Sequence, residues 1–201
     1  MGPLEYPKIT YDSERVLVST RPRPHSPVLL QAFDAEADSS GKARLLLTAA
    51  VGCGKSTIDA AYEVAALARE MDFIDLMTYD LHGAWERRTG AHIALYPRAD
   101  ETGDDRLLNV DWAVNYFIKL GLPANKLVMG LGTYGRGFTL VDESQTGMGA
   151  PAKGAGVAGR YTREAGFLSY YEICQHIKNG WTAEVSRENK SGLFRCVSAS
   201  P

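Results

Sequence analysis

Immediately after the apolar run Phe73-Ile74-Asp75-Leu76-Met77-Thr78 stand Tyr79, Asp80, His82, Trp85 and Glu86. A phenol, a carboxylate and an indole at one strand terminus are the groups a sugar site needs. Sugars are held by directional hydrogen bonds over a flat apolar platform. The same residues would also suit a capped core strand followed by an ordinary turn, and the cluster alone leaves both readings open.

The surrounding chain must position this cluster. Phe73 to Tyr79 is short, apolar and followed by turn residues, which predicts a buried strand with Phe73, Asp75, Met77 and Tyr79 on one face. Leu45 to Val51 is a continuous apolar run and predicts a strand buried on both sides. Helices are expected over Val28–Ala37 and Thr57–Glu70, and from an Asn109 cap to about Leu120. Leu127 to Tyr134 predicts a third strand. The alternation of strand and helix implies parallel neighbours, in the order 45–51, 73–79, 127–134, and an α/β fold. Glu86 to Asp105 is a long polar loop. From Phe138 the composition shifts toward glycine and alanine, with a helix expected near Phe167–Lys178 and a strand over Trp181–Val185. Residues 1–27 contain several prolines and are expected to be irregular.

Composition narrows the function. With 201 residues, 45% of them hydrophobic, one domain with a core is the default. A net charge of −2, without a basic patch, excludes a nucleic-acid partner on electrostatic grounds. No apolar run approaches the ~18 residues of a membrane helix, and no signal peptide is readable. Cys53, Cys174 and Cys196 have neither metal nor disulfide-framework spacing. The histidines are scattered, so neither a metal nor a cofactor is expected. Gly52-Cys53-Gly54-Lys55-Ser56-Thr57 has the ending of a phosphate-binding loop, but Ala49 stands where the full pattern requires glycine.

The string MDFIDLMTYDLHGAWE resembles the sixth barrel strand and following loop of family 18 glycoside hydrolases, the chitinases and chitinase-like lectins. KLVMGLGTYGRGF, residues 126–138, resembles their seventh strand. YTREAGFLSYYEIC, residues 161–174, resembles the subdomain inserted after it. The similarity runs from about Val28 to about Trp181. It implies a partial (β/α)₈ TIM barrel over 28–137, the beginning of an α+β insertion domain over 138–190, and an unmatched tail over 191–201. A whole barrel takes about 250 residues or more, so this chain is too short for the full fold.

The resemblance further implies retaining, substrate-assisted hydrolysis of chitin or chitooligosaccharide, in which the substrate's N-acetyl oxygen is the nucleophile. Tyr79 and Asp80 would hold that acetamido group, and Met77 would line the pocket base. Trp85 would stack on sugar, and Tyr134, Arg136 and Glu164 would bind further units. The family's D-x-x-D-x-D-x-E acid motif is not intact. Only Glu5, in Glu5-Tyr6-Pro7, matches its tail, and general-acid assistance is worth about 10²–10⁴-fold. By the same resemblance Cys174 corresponds to a disulfide-bonded cysteine, and the compartment is extracellular. The expectation is a chitinase-family chain, weakly active or inactive. A non-catalytic chitin-binding lectin and a P-loop nucleotide binder are the alternatives, and the oligomeric state is open.

Overall fold

Ile74 and Leu76 are fully buried, whereas Phe73, Asp75 and Met77 alternate with them at intermediate exposure. The strand that carries them therefore has a core face and a more open face. In the computed structural model, which describes residues 25–195, helix α1 (His25–Ser40) precedes β1 (Thr48–Gly52), α2 (Lys55–Ala61), α3 (Val64–Glu70) and the central strand β2 (Phe73–Met77). Helix α4 (Val110–Lys119) and β3 (Leu127–Met129) follow. All three strands are parallel in the order β1-β2-β3, with Thr48 opposite Phe73 and Ile74 opposite Leu127, as expected.

The core lies between this sheet and its helices. Val51, Ile74 and Leu76 pack with Ile58, Val64, Ala113, Phe117 and Leu122. Each large apolar side chain removed from water here contributes about 1.5–3 kcal/mol. Helix α4 starts where expected, because the Asn109 side chain accepts from the Trp112 amide at 2.8 Å. Trp112 sits against the core edge, stacked on Tyr116 at 4.6 Å.

Helix α1 begins at His25 and ends at Ser40, three residues beyond the expected helix at each end, so residues 25–27 are helical rather than irregular. Besides this and an early end to β2, four elements differ from the sequence expectation. The apolar run at 45–51 is strand only from Thr48, and Leu45 and Leu46 are exposed. Within β1 only Val51 is buried and the other four residues are half-buried, so the strand is not buried on both sides. The helix expected over 57–70 breaks at Tyr62 and Glu63. Tyr62 takes an extended conformation, and its hydroxyl accepts from the Gly52 amide at 2.9 Å, tying the helix break to the end of β1. The third strand stops at Met129, and Tyr134 and Arg136 lie instead on β4 (Tyr134–Arg136). Just past this end, Gly130 lets the chain pass close against β2. Its amide bonds to the Leu76 carbonyl at 2.8 Å, and a Cβ there would sit 2.8 Å from that oxygen. The fourth difference involves β5 (Phe138–Leu140), β6 (Ala152–Ala155), β7 (Phe167–Ser169) and helix α5 (Tyr170–Lys178). The helix expected from Phe167 begins at Tyr170, because Phe167–Ser169 pairs antiparallel with β4. Beyond it, β8 (Thr182–Val185) pairs antiparallel with β9 (Gly192–Arg195), a hairpin that continues past residue 190.

Glu172 holds the start of α5 and the loop before it. One carboxylate oxygen accepts from the amides of Tyr161 and Thr162. The other accepts from the amide and hydroxyl of Ser169, completing a capping box. Burial opposes its charge, but the amides of Tyr161, Ser169 and Thr162 outweigh burial and hold its pKa at about 2. A carboxylate with a depressed folded pKa stabilises the fold above its ordinary 4.5, and this stability is lost as pH falls toward about 2. Glu172→Gln should therefore lower the melting temperature at neutral pH and flatten its fall between those two values. Equal acid sensitivity of both proteins in thermal melts would contradict this.

Asn189-Lys190-Ser191 has the form of a glycosylation sequon. Asn189 is 1% exposed, its side-chain oxygen accepts from the Ser191 hydroxyl at 2.8 Å, and its carbonyl accepts from the Leu95 amide at 2.8 Å. A glycan there is incompatible with this packing. Mass spectrometry of chain expressed through a secretory pathway should find Asn189 unmodified, and high occupancy on folded protein would refute the packing.

Candidate functional site

The C-terminal end of β2 turns sharply. The Thr78 amide bonds back to the Leu76 carbonyl at 2.9 Å, and the buried Thr78 hydroxyl donates to the Gly130 carbonyl at 2.6 Å. This ends the strand at Met77, two residues earlier than expected, and fixes it to the end of β3. Asp80 then adopts φ 58°, in the left-handed region. Aspartate is among the few non-glycine residues that tolerate it, at a cost of order 1–3 kcal/mol. Gly132 lets the chain after β3 pass close to Tyr79, since a Cβ at that position would lie 3.2 Å from the Tyr79 Cβ and 2.6 Å from Ile93.

These turns bring β2 and β4 together. Asp80 Oδ1 accepts from the Tyr134 hydroxyl and from Arg136 Nε at 2.8 Å. Such charge-assisted bonds are worth about 1.5–3 kcal/mol, toward the lower end here because Asp80 keeps solvent contact. Burial raises the Asp80 pKa, but the bonds from Arg136 and Tyr134 outweigh it and hold the carboxyl below its usual range. Burial, followed by the bond to Asp80, pushes the Tyr134 phenol well above its ordinary value. The Arg136 guanidinium lies 5.7 Å from the Trp85 ring, 5.5 Å from Tyr134 and 5.3 Å from Phe167. Glu164 stands 3.8 Å from Arg136 and is largely exposed.

Asp80, Trp85, Tyr134, Arg136 and Glu164 are therefore brought together, with Tyr79 edge-on to Tyr134 at 6.0 Å. Met77, Tyr79 and Asp80 also line an open hollow of about 310 Å³ with Gly52, Cys53 and Leu108. Trp85 is 62% exposed and pressed against Gly83, where any side chain would strike the indole. The surface is a polar floor under exposed aromatic faces, able to accept hydroxyl and amide donors at Asp80 and to stack a planar or ring-shaped ligand on Trp85. Glu5 and Cys196 lie outside the described residues; Cys53 and Cys174 are free thiols.

Sequence reasoning missed two contributors. Phe167, expected in a helix, lies on β7 and stacks on Tyr134 at 4.8 Å. His92, in the long loop, packs on Tyr134 at 4.5 Å. The Ser-x-x-Glu capping box at Ser169 would have moved the helix start beyond Phe167. No local signal marks His92. The loop that carries it is held by tertiary bonds: Leu81 to the His92 carbonyl, Ala152 to the Arg87 carbonyl, and Gly149 and Ala150 to Thr89.

A family model described as glycosyl hydrolases family 18 matches residues 5–195. Chitotriosidase-1 of Mus musculus is 51% identical over 146 residues, covering 73% of this chain and 32% of that protein. The fold superposes with TM-score 0.81 on an immunomodulatory active chitinase from Trichuris suis, at 42% identity over 84% of this chain and 46% of that one. It superposes equally well, TM-score 0.81, on human YKL-39, described as a pseudo-chitinase with retained chitooligosaccharide binding properties. That match has 41% identity and covers 86% of this chain and 47% of that one. The chain thus spans 32% to 47% of the length of these relatives.

The phosphate-loop-like segment Gly52–Thr57 is committed elsewhere. Lys55 is ion-paired with Asp59 and lies 5.6 Å over the Tyr116 ring, while the Gly52 amide is bonded to Tyr62. A phosphate would have to break these contacts to use either group. No saturable magnesium-dependent ATP or GTP binding is expected by equilibrium dialysis, and binding abolished by Lys55→Ala would overturn that.

Proposed function

The chain belongs to the family 18 glycosyl hydrolases, and from that membership we propose that it binds chitooligosaccharide at the Asp80 cluster and turns it over weakly or not at all. The observation that carries this reading is the convergence of Asp80, Tyr134, Arg136 and Trp85 on one exposed surface. Tyr79 and Asp80 would hold the acetamido group and balance positive charge developing at the anomeric carbon. Met77 would close the pocket base, Trp85 would stack on a sugar face, and Arg136 with Glu164 would bind an adjoining unit. On this reading residues 28–137 form the barrel portion, 138–190 begin the insertion domain, and the protein acts outside the cell.

Turnover is a separate matter, because family chemistry needs a proton donor within hydrogen-bond reach of the glycosidic oxygen. The acid motif is not intact, because Pro3 and Met1 stand where the two aspartates nearest its one matching residue, Glu5, would be. The lectin-like alternative gains support from YKL-39, whose description pairs retained binding with pseudo-chitinase status. Asp80 with its partners and Glu5 belong to segments far apart in the chain, so one role can persist without the other.

Two measurements test this reading. In a calorimetric titration with chitotetraose, Trp85→Ala should weaken binding by about 1–3 kcal/mol, the loss typical of a stacked aromatic anchor; unchanged affinity would remove Trp85 from the site. A fluorogenic chitobioside should be hydrolysed slowly or not at all by the intact chain. Brisk turnover abolished by Glu5→Gln would identify Glu5 as a working acid and refute the weak-activity reading.

A further inference from the structure

His92 Nδ1 is shut off from solvent and has no hydrogen-bond partner among the described residues. The other ring nitrogen, Nε2, lies 2.8 Å from the Tyr134 carbonyl oxygen. A carbonyl only accepts, so Nε2 carries the hydrogen and the neutral ring leaves a lone pair on Nδ1. That lone pair faces Asp80 Oδ1 at 3.9 Å, the same oxygen that Tyr134 and Arg136 hold. Two acceptors therefore confront one another, and a proton on Nδ1 would convert the repulsion into a charge-assisted pair.

We propose that His92 is a positioning residue for Asp80. Neutral, it leaves the carboxylate to Tyr134 and Arg136. Protonated, it draws Oδ1 toward the imidazolium, loosens those two bonds and weakens sugar binding. The proposal rests on the chitooligosaccharide reading of this site.

The groups that face the ring are Asp80, after β2, and Tyr134 and Arg136, on β4. Burial opposes a charge on His92 most strongly. The Tyr134 carbonyl and the Asp80 carboxylate favour it, the Arg136 cation opposes it, and the net effect holds the ring's pKa below its ordinary 6.5. Over that range Asp80 stays ionised and Tyr134 stays neutral, because their own values are displaced away from it in opposite directions. Of these groups, the His92 ring is therefore the one whose ordinary value lies nearest neutrality.

The test uses the full chain and two readouts. Imidazole NMR should show the His92 titration midpoint falling in Asp80→Asn, because the carboxylate that favours the imidazolium is gone. An unchanged midpoint would overturn the proposal whatever the sugar data show. Chitotetraose affinity of the unaltered chain should fall several-fold as the pH is lowered through the His92 midpoint read by NMR. His92→Gln should remove that dependence. A merely structural role would instead lower affinity equally at every pH, and a His92→Gln profile parallel to that of the unaltered chain would refute the assignment. No sugar binding at neutral pH, with the Asp80 coupling present, would overturn the sugar reading and leave the coupling standing.

Discussion

The carboxylate of Asp80, shared between the Tyr134 hydroxyl and the Arg136 guanidinium, joins two separate sheets. β2 belongs to the parallel layer and β4 to a two-stranded antiparallel unit. A partly buried carboxylate needs donors to stay ionised. Its two donors come from the strand that leaves the parallel layer, so the charge requirement of one residue fixes where the next unit docks. The left-handed backbone at Asp80 is local strain spent on aiming this group.

Small residues make the junction possible. Gly130 and Gly132 let the segment after β3 pass close to Leu76 and Tyr79, and Gly83 lets Trp85 lie flat. Thr78, fully buried, ties the two strand ends through Gly130. The long loop after Trp85 adds no regular element before Gly103, yet backbone bonds to residues 147–152 and to Asn189 hold it over the cluster. His92 reaches Tyr134 only because of that anchoring. A polar site on a barrel-type scaffold is thus assembled from turns, while the apolar layer beneath supplies rigidity.

The relation to the relatives follows the same division. The matched region contains the turns that build the Asp80 cluster, and in it only Glu5 matches the family's acid motif. An active chitinase and a pseudo-chitinase share this fold equally well.

The parallel order of the three strands, the Asn109 cap and the polar-aromatic cluster after Met77 were legible in the chain, because each depends on near neighbours: apolar period, side-chain capping and a strand end. The strings around Tyr79 and Tyr134 likewise named residues that do meet. What the chain could not reveal depends on contacts far apart in sequence. Tyr62 breaks a helix to bond Gly52, and Phe167 leaves its expected helix to pair with β4. Asn189 loses its sequon character by packing against Leu95. His92, unremarkable in a polar loop, becomes a buried imidazole facing a carboxylate. Local sequence determined which groups were available; only the tertiary structure decided which of them share one environment, because burial and electrostatic partnership are set by distance in space.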